Sequence, residues 1–213
     1  MSSIDATVYL VTDTALCGAR SAVVETVRQA VIGGVTAVQV RDPLATTREL
    51  AELAAAVLEV LRGSGVPLVV NDRVDVALAV GADGVHVGQH DLDPGAARRL
   101  IGPGMHLGLS ISNAAELAAA AALPPGTVDL LGVGPIRDTP SKADAAPALG
   151  FEKLTEICGA TDIGCVAIGG LGLPDIPELR RSGAAGMAVI SAICGRPDPA
   201  SATRDLVKAW GAP

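Results

Sequence analysis

Aromatic residues are almost missing: one Trp, one Tyr and one Phe make up 1% of the 213 residues. A chain so poor in flat rings has little with which to stack nucleobases, and its formal charge of -7 repels polyanions. Both features argue against a DNA or RNA partner. Cysteine is scarce too. Cys17, Cys158, Cys165 and Cys194 show no close pair spacing for zinc, and no signal peptide is visible at the start of the chain. Reduced thiols packed as small hydrophobes in a cytoplasmic protein are the expectation. Apolar runs are short, each interrupted by Gly, Asp or Arg well before a membrane-spanning length, so a membrane partner is not expected. No Ser- or Pro-rich tract and no long charge block divides the chain, which predicts one domain over residues 1–213.

What is abundant is Ala, Val, Leu and Ile, a composition that suits buried parallel strands covered by Ala-rich helices. Short β-rich runs at 7–11, 35–40, 66–70, 84–87, 106–109, 128–133, 165–168 and 187–190 read as strands. Helical stretches are expected between them and after the last: 21–32, 48–61 behind a Thr46 or Thr47 cap, 74–80, and 95–100 behind Asp93 and Pro94. The remainder are an Asn113-capped helix to about 122, then 152–157, 175–181 and 201–210. The phrases GGVTAV at Gly33, GADGVHV at Gly81 and SGAAGMAV at Ser182 repeat one junction, a left-handed helix stop followed by entry into a buried strand. Eight such units at roughly 27 residues each match the scale of a minimal (β/α)8 barrel. An open doubly wound sheet is disfavoured, since no GxGxxG follows the first strand.

In such a barrel the chemistry sits at the carboxyl ends of the strands. Collected in order, those ends supply Gln39, Arg41, Asn71, Asp72, Asp91 and Ser110, then Thr139, Ser141 and Lys142 from a long polar loop, then Gly169, Gly170, Ile190 and Ser191. Asp72 and Asp91 end adjacent strands, and two carboxylates brought together there suit a hard divalent cation such as Mg2+. Arg41 and Lys142 would face the remaining charge of a metal-bound diphosphate. Glycines and a serine at the last two strand ends suit a single phosphate cradled by backbone N–H groups. Each residue also has a plainer reading: Asp72 as a helix cap, Asp91 as a turn former, the glycines as a tight turn, and Lys142 and Arg137 as solvated charges. His86, inside a strand, reads as structural, and His90 lacks the paired nucleophile a catalytic base would serve.

These residues also resemble the thiamine-phosphate synthase family over nearly the whole length. The likeness is carried by YLVTD at 9–13, QVR at 39–41, VNDRVDVALAVGADGVHVGQHDL at 70–92, GLSISN at 108–113, GVGPIRDTPSK at 132–142, AIGGL at 167–171 and AVISAI at 188–193. The resemblance implies a (β/α)8 enzyme using Mg2+ to join a hydroxymethylpyrimidine diphosphate to a hydroxyethylthiazole phosphate. It implies Asp72 and Asp91 as metal ligands, and Gln39, Arg41, Asn71, Ser110 and Lys142 around the pyrimidine diphosphate, with Arg41, Lys142 and Ser110 as the catalytic groups. Thr139, Ser141, Gly170, Ile190 and Ser191 would hold the thiazole phosphate. No protein nucleophile is called for, in keeping with the lack of a Ser-His or Cys-His constellation. Departures from the family pattern are Pro43 where a lysine is usual, Arg137 and Asp138 in place of an aromatic and a proline, and Ser112 in place of a histidine. Arg137 is a candidate to restore the charge missing at Pro43. A thiazole tautomerase of the same fold and a non-catalytic phosphate sensor remain as alternatives, and a homo-oligomer is open.

Overall fold

The computed structural model describes residues 4–138 and 147–211. Among them are eight parallel strands: β1 (Val8–Val11), β2 (Ala37–Val40), β3 (Leu68–Asn71), β4 (Gly84–Val87), β5 (His106–Ile111), β6 (Leu130–Val133), β7 (Gly164–Ile168) and β8 (Gly186–Val189). They pair in sequence order and β8 returns to β1, closing a (β/α)8 barrel. Period-two alternation divides the strand side chains between two cores. Tyr9, Val11, Ala37, Val69, Leu130, Val166 and Ala188 form one cluster, while Val8, Leu10, Val38, Val40 and Leu131 belong to the larger one shared with the helices.

The helices are α1 (Thr14–Cys17), α2 (Arg20–Gly33), α3 (Thr47–Leu61), α4 (Val74–Val80), α5 (Pro94–Ile101), α6 (Ala114–Ala121), α7 (Gly150–Gly159), α8 (Ile176–Arg181) and α9 (Pro199–Gly211). None is long and apolar enough to cross a membrane. α3 shows why they form where they do. Thr46 Oγ1 accepts from Glu49 N at 3.3 Å and the Glu49 carboxylate accepts from Thr46 N at 2.8 Å, a reciprocal cap that satisfies two otherwise orphaned donors. Leu50, Leu53, Ala54, Val57 and Leu61 then repeat at helical spacing and are all buried, each leucine or valine contributing roughly 1.5–3 kcal/mol. Asp93 and Asn113 cap α5 and α6 as expected.

Most boundaries shift by one or two residues from the sequence reading; β3 and β6, for example, begin at Leu68 and Leu130 rather than at 66 and 128. α1 was not anticipated, being a single turn capped by Asp13, whose Oδ1 accepts from Leu16 N at 2.9 Å. β2 begins at Ala37 rather than 35, because the Val35 N–H is spent on Ala30 O, closing the left-handed exit of α2 at Gly34. β5 extends to Ile111, so Ser110 lies within the strand, not after it.

At the amino-terminal rim of the strands, Arg98 of α5 donates to Thr127 O, Gly102 O and Met105 O and pairs with Asp129 at 2.6 Å, tying α5 to the entrances of β5 and β6. His106 opens β5 beside this network. It is 4% exposed, neither ring nitrogen has a hydrogen-bond partner among the described residues, and Asp129 Oδ2 stands 3.9 Å from Nδ1. Burial pushes its pKa below the ordinary 6.5, only partly opposed by Asp129. A base whose pKa is lower folded than unfolded takes up protons on unfolding, so its contribution is intact above pH 6.5 and is lost as pH falls from there through the folded-state value. Urea unfolding at pH 7.5 and pH 5 is therefore expected to show a larger acid loss in the parent than in His106→Leu. Equal losses would remove His106 from the account.

Candidate functional site

The loop ends on the carboxyl rim are built outward from β1. Thr12, fully buried, donates its N–H to Gln39 O and accepts from Arg41 N at 3.0 Å, so the end of β1 fixes the end of β2. Gln39 is 4% exposed and its Nε2 donates to the Tyr9 hydroxyl at 3.0 Å. Burial holds the Tyr9 pKa well above the usual phenol value, so at neutral pH that oxygen accepts as a neutral hydroxyl. Asp42 anchors the next step by accepting from Arg20 Nε at 2.9 Å and from Thr14 Oγ1 at 3.0 Å, while Arg20 also reaches Glu49 at 2.8 Å. Arg41 stands apart from this network. Arg41 is half-buried as a residue, and its guanidinium makes no hydrogen bond or ion pair among the described residues.

β3 and β4 deliver the two acids. Asn71 pairs with His86 across the ladder, and Asp72, the next residue, adopts φ 60 with its N–H on His86 O at 2.7 Å. A left-handed non-glycine residue costs on the order of 1–3 kcal/mol and persists only where surrounding structure enforces it. Asp72 does not cap α4; Arg73 occupies that position and bonds Asp75 and Thr47. Asp91 does form a turn, as the plainer reading had it, since its Oδ2 accepts from Gly88 N at 2.7 Å. Gly88 lies two residues beyond His86, the residue to which Asp72 is tied, so both carboxylates belong to adjacent ends of one rim. Among the described residues no group of three or more His, Cys, Asp or Glu converges as a metal site. Two hard carboxylates there would suit Mg2+, which commonly takes only one or two from a protein.

Ser110 is held from two sides. His86 Nε2 lies 2.8 Å from its hydroxyl, and Gln89 Nε2 donates to its carbonyl at 2.7 Å. The imidazole has room because Gly108 and Gly132 face it; a Cβ on Gly108 would come within 2.3 Å of Nδ1. His86 is thus a positioning residue, and neither it, Gln89 nor Tyr9 was singled out for the site from sequence. For Tyr9 and His86 the signal is present only as strand alternation toward the barrel interior, whereas Gln89 lies in the turn after β4. Ser112, in place of the family histidine, is used at the start of α6, where Glu116 accepts from its N–H and hydroxyl.

The last two strand ends supply backbone donors. Gly170 has φ 66 and Gly169 has φ 103, and a side chain on either would collide with residues 135–138. The glycines therefore serve close packing as well as the left-handed backbone of the tight turn that is their plainer reading. Gly170 N, Ser191 N and Ala192 N nonetheless donate to no acceptor among the described residues, whereas the turn after Ile190 is closed by Cys194 N on Ile190 O at 2.8 Å. Thr139, Ser141 and Lys142 lie outside the described residues. Arg137 is not a spare cation. Its Nε and Nη2 both donate to buried Asp175 Oδ1, at 2.9 and 2.7 Å, and its guanidinium covers the Phe151 ring at 5.3 Å. That pairing weighs against the expectation that Arg137 restores part of the charge missing at Pro43, since Asp175 already opposes its charge. Concavity does not identify the rim: recesses of about 470 and 920 Å³ lie at the outer helices and the opposite rim, without this convergence of groups.

Comparison with known proteins agrees with the fold. The family model described as thiamine monophosphate synthase matches residues 8–193. A thiamine-phosphate synthase from Azorhizobium caulinodans is 48% identical over 202 residues, covering 95% of this chain and 93% of that protein. One from Xanthobacter autotrophicus is also 48% identical over 202 residues, covering 95% and 94%. The solved thiamine phosphate pyrophosphorylase from Pyrococcus furiosus superposes with a TM-score of 0.86 at 35% identity, covering 98% of this chain and 96% of that one.

Arg137 and Asp175, 38 residues apart, join the loop after β6 to the start of α8. Replacing either with alanine is expected to lower stability by about 1–3 kcal/mol. The double replacement should fall short of the sum by roughly 1 kcal/mol in urea unfolding, and strict additivity would contradict the pairing.

Proposed function

The chain belongs to the thiamine monophosphate synthase family, and from that premise we propose that it condenses hydroxymethylpyrimidine diphosphate with hydroxyethylthiazole phosphate in a Mg2+-dependent alkyl transfer. The observation that carries the metal assignment is Asp72, held in a strained left-handed conformation beside the Asp91 turn. Bound there, Mg2+ would neutralise diphosphate charge and lower the cost of its departure. Asp72 and Asp91 are the residues to hold it, and Asp91 Oδ1 has no protein donor among the described residues to compete.

The chain's own groups account for the remaining steps. Arg41, uncommitted to any carboxylate among the described residues, binds the diphosphate oxygens, with Lys142 as a second cation. Gln39, oriented by Tyr9, and Asn71 and Ser110, the latter oriented by His86 and Gln89, hold the aminopyrimidine. The C–O bond to diphosphate breaks with its electron pair leaving on oxygen, and the positive methylene carbon is stabilised by delocalisation into the aminopyrimidine. The thiazole nitrogen then donates its lone pair to that carbon and the C–N bond forms. Free N–H groups at Gly170 and Ser191 suit the thiazole phosphate, with Thr139, Ser141 and Ile190 completing its site. Fixing both reactants spares the enzyme a nucleophile of its own. Names carried by the relatives favour this reading over a tautomerase or a phosphate sensor.

Diphosphate release with both substrates should require Mg2+ and fall by at least about a hundredfold in Asp91→Ala, equivalent to roughly 3 kcal/mol of lost transition-state stabilisation. Asp91→Asn keeps an acceptor for the Gly88 N–H, and is expected to lose at least about tenfold while melting like the parent. Equal rates before and after thorough chelation would overturn the proposal.

A further inference from the structure

The four cysteines are scattered in sequence, yet the fold makes Cys17 a neighbour of Cys194 and Cys158 a neighbour of Cys165. The first pair stands on the carboxyl rim. Cys17 ends α1, just beyond β1, and Cys194 closes the turn after β8 that presents Ile190 and Ser191. The two segments touch along their backbones, since a Cβ built on Gly195 would lie 3.0 Å from Leu16 O. Cys194 is buried with its Sγ 3.9 Å from Val11 O, 183 residues away, whereas Cys17 is half-buried with its Sγ 3.5 Å from Thr26 Oγ1. Thr26 also lines the recess of about 470 Å³ between Glu25, Gln29 and Pro197.

The two sulfurs differ in character. The Cys194 thiol lowers Cys17 most, to about 6, with the Thr26 hydroxyl and the Gly195 N–H adding to the effect against burial and Asp13. Cys194 is pushed upward by the neighbouring Cys17 sulfur and by burial. A half-buried thiolate beside a buried thiol is the arrangement of an attacking and a resolving cysteine.

We propose that Cys17 and Cys194 form a peroxide-oxidisable dithiol that closes to a disulfide between the loops after β1 and β8 and weakens phosphate binding at the Ile190–Ser191 turn. The Cys17 thiolate attacks one oxygen of hydrogen peroxide; the S–O bond forms as O–O breaks, and the departing hydroxide takes a proton to become water. Cys194 then gives up its proton and attacks the Cys17 sulfur, forming S–S as the S–OH oxygen leaves as a second water. Two thiols are oxidised by two electrons and one peroxide is reduced to two waters. The phosphate half of the proposal rests on the reading that this turn holds the thiazole phosphate. Its physical basis is that Cys194 N anchors Ile190 O, so drawing Cys194 toward Cys17 strains the turn.

The test treats the reduced full chain with equimolar hydrogen peroxide, maps peptides by mass spectrometry without reductant, and measures hydroxyethylthiazole phosphate affinity by calorimetry. Expected are a Cys17–Cys194 linked peptide and a Kd raised about five-fold or more, a coupling of ordinary size, restored by dithiothreitol. Cys194→Ser should instead trap a dimedone-reactive sulfenic acid at Cys17, and Cys158→Ser should behave as the parent. Both thiols remaining free, a Cys158–Cys165 link forming first, or a disulfide with unchanged Kd would each overturn the proposal. Ser191→Asp in the reduced protein, which sets a carboxylate against the bound phosphate, separates the two layers: an unchanged Kd there sinks the phosphate reading, while the linked peptide still reports on the dithiol.

Discussion

Val8, Tyr9 and Leu10 pair with Met187, Ala188 and Val189, and through that last ladder the sheet loses its edges. An open sheet of these strands would leave a row of N–H and C=O groups without partners inside an apolar wall. Closure satisfies them and at the same time fixes which residue of each strand points inward, because a slip of one position would exchange the two faces. Tyr9 meeting Gln39, and His86 nesting against Gly108 and Gly132, both depend on that register. The loops after β1 and β8, at opposite ends of the chain, are neighbours for the same reason.

The two rims of the barrel treat their polar groups differently. At the amino-terminal rim Arg98, Asp129 and the surrounding carbonyls consume one another's hydrogen-bonding capacity. The carboxyl rim leaves capacity unspent: the Arg41 guanidinium and the backbone donors at Gly170, Ser191 and Ala192 find no protein partner among the described residues. Asp72 adds a strained backbone there. Apart from the buried His106 ring at the amino-terminal rim, unsatisfied donors gather at the carboxyl rim together with a strained backbone, which supports the proposal that this end takes an anionic ligand.

How much of this was legible in the sequence depended on the range of the interaction. Residues 74–80 and 84–87 were located to the residue, because helix, Gly81 stop and buried strand are all written locally. Caps at Asp93 and Asn113 were legible for the same reason, and the cap of α3 to within one residue, Thr46 or Thr47. α1 was not, since a single turn is too short to show periodicity. The strand ends carrying Gln39, Arg41, Asn71, Asp72 and Asp91 could be collected once a barrel was inferred. The partners that orient them could not. Arg137 with Asp175 and His86 with Ser110 arise only when strands close in register, and composition alone makes Arg137 look like a free cation.

The central claim, that Asp72 and Asp91 grip one divalent ion together with the diphosphate, is tested most directly by crystallography of the protein with Mn2+ and the pyrimidine diphosphate, using the anomalous signal of the metal. A single peak is expected, bonded at about 2.1 Å to a carboxylate oxygen of each aspartate and to diphosphate oxygens. A peak held by the diphosphate alone, or by groups away from the ends of β3 and β4, would contradict it.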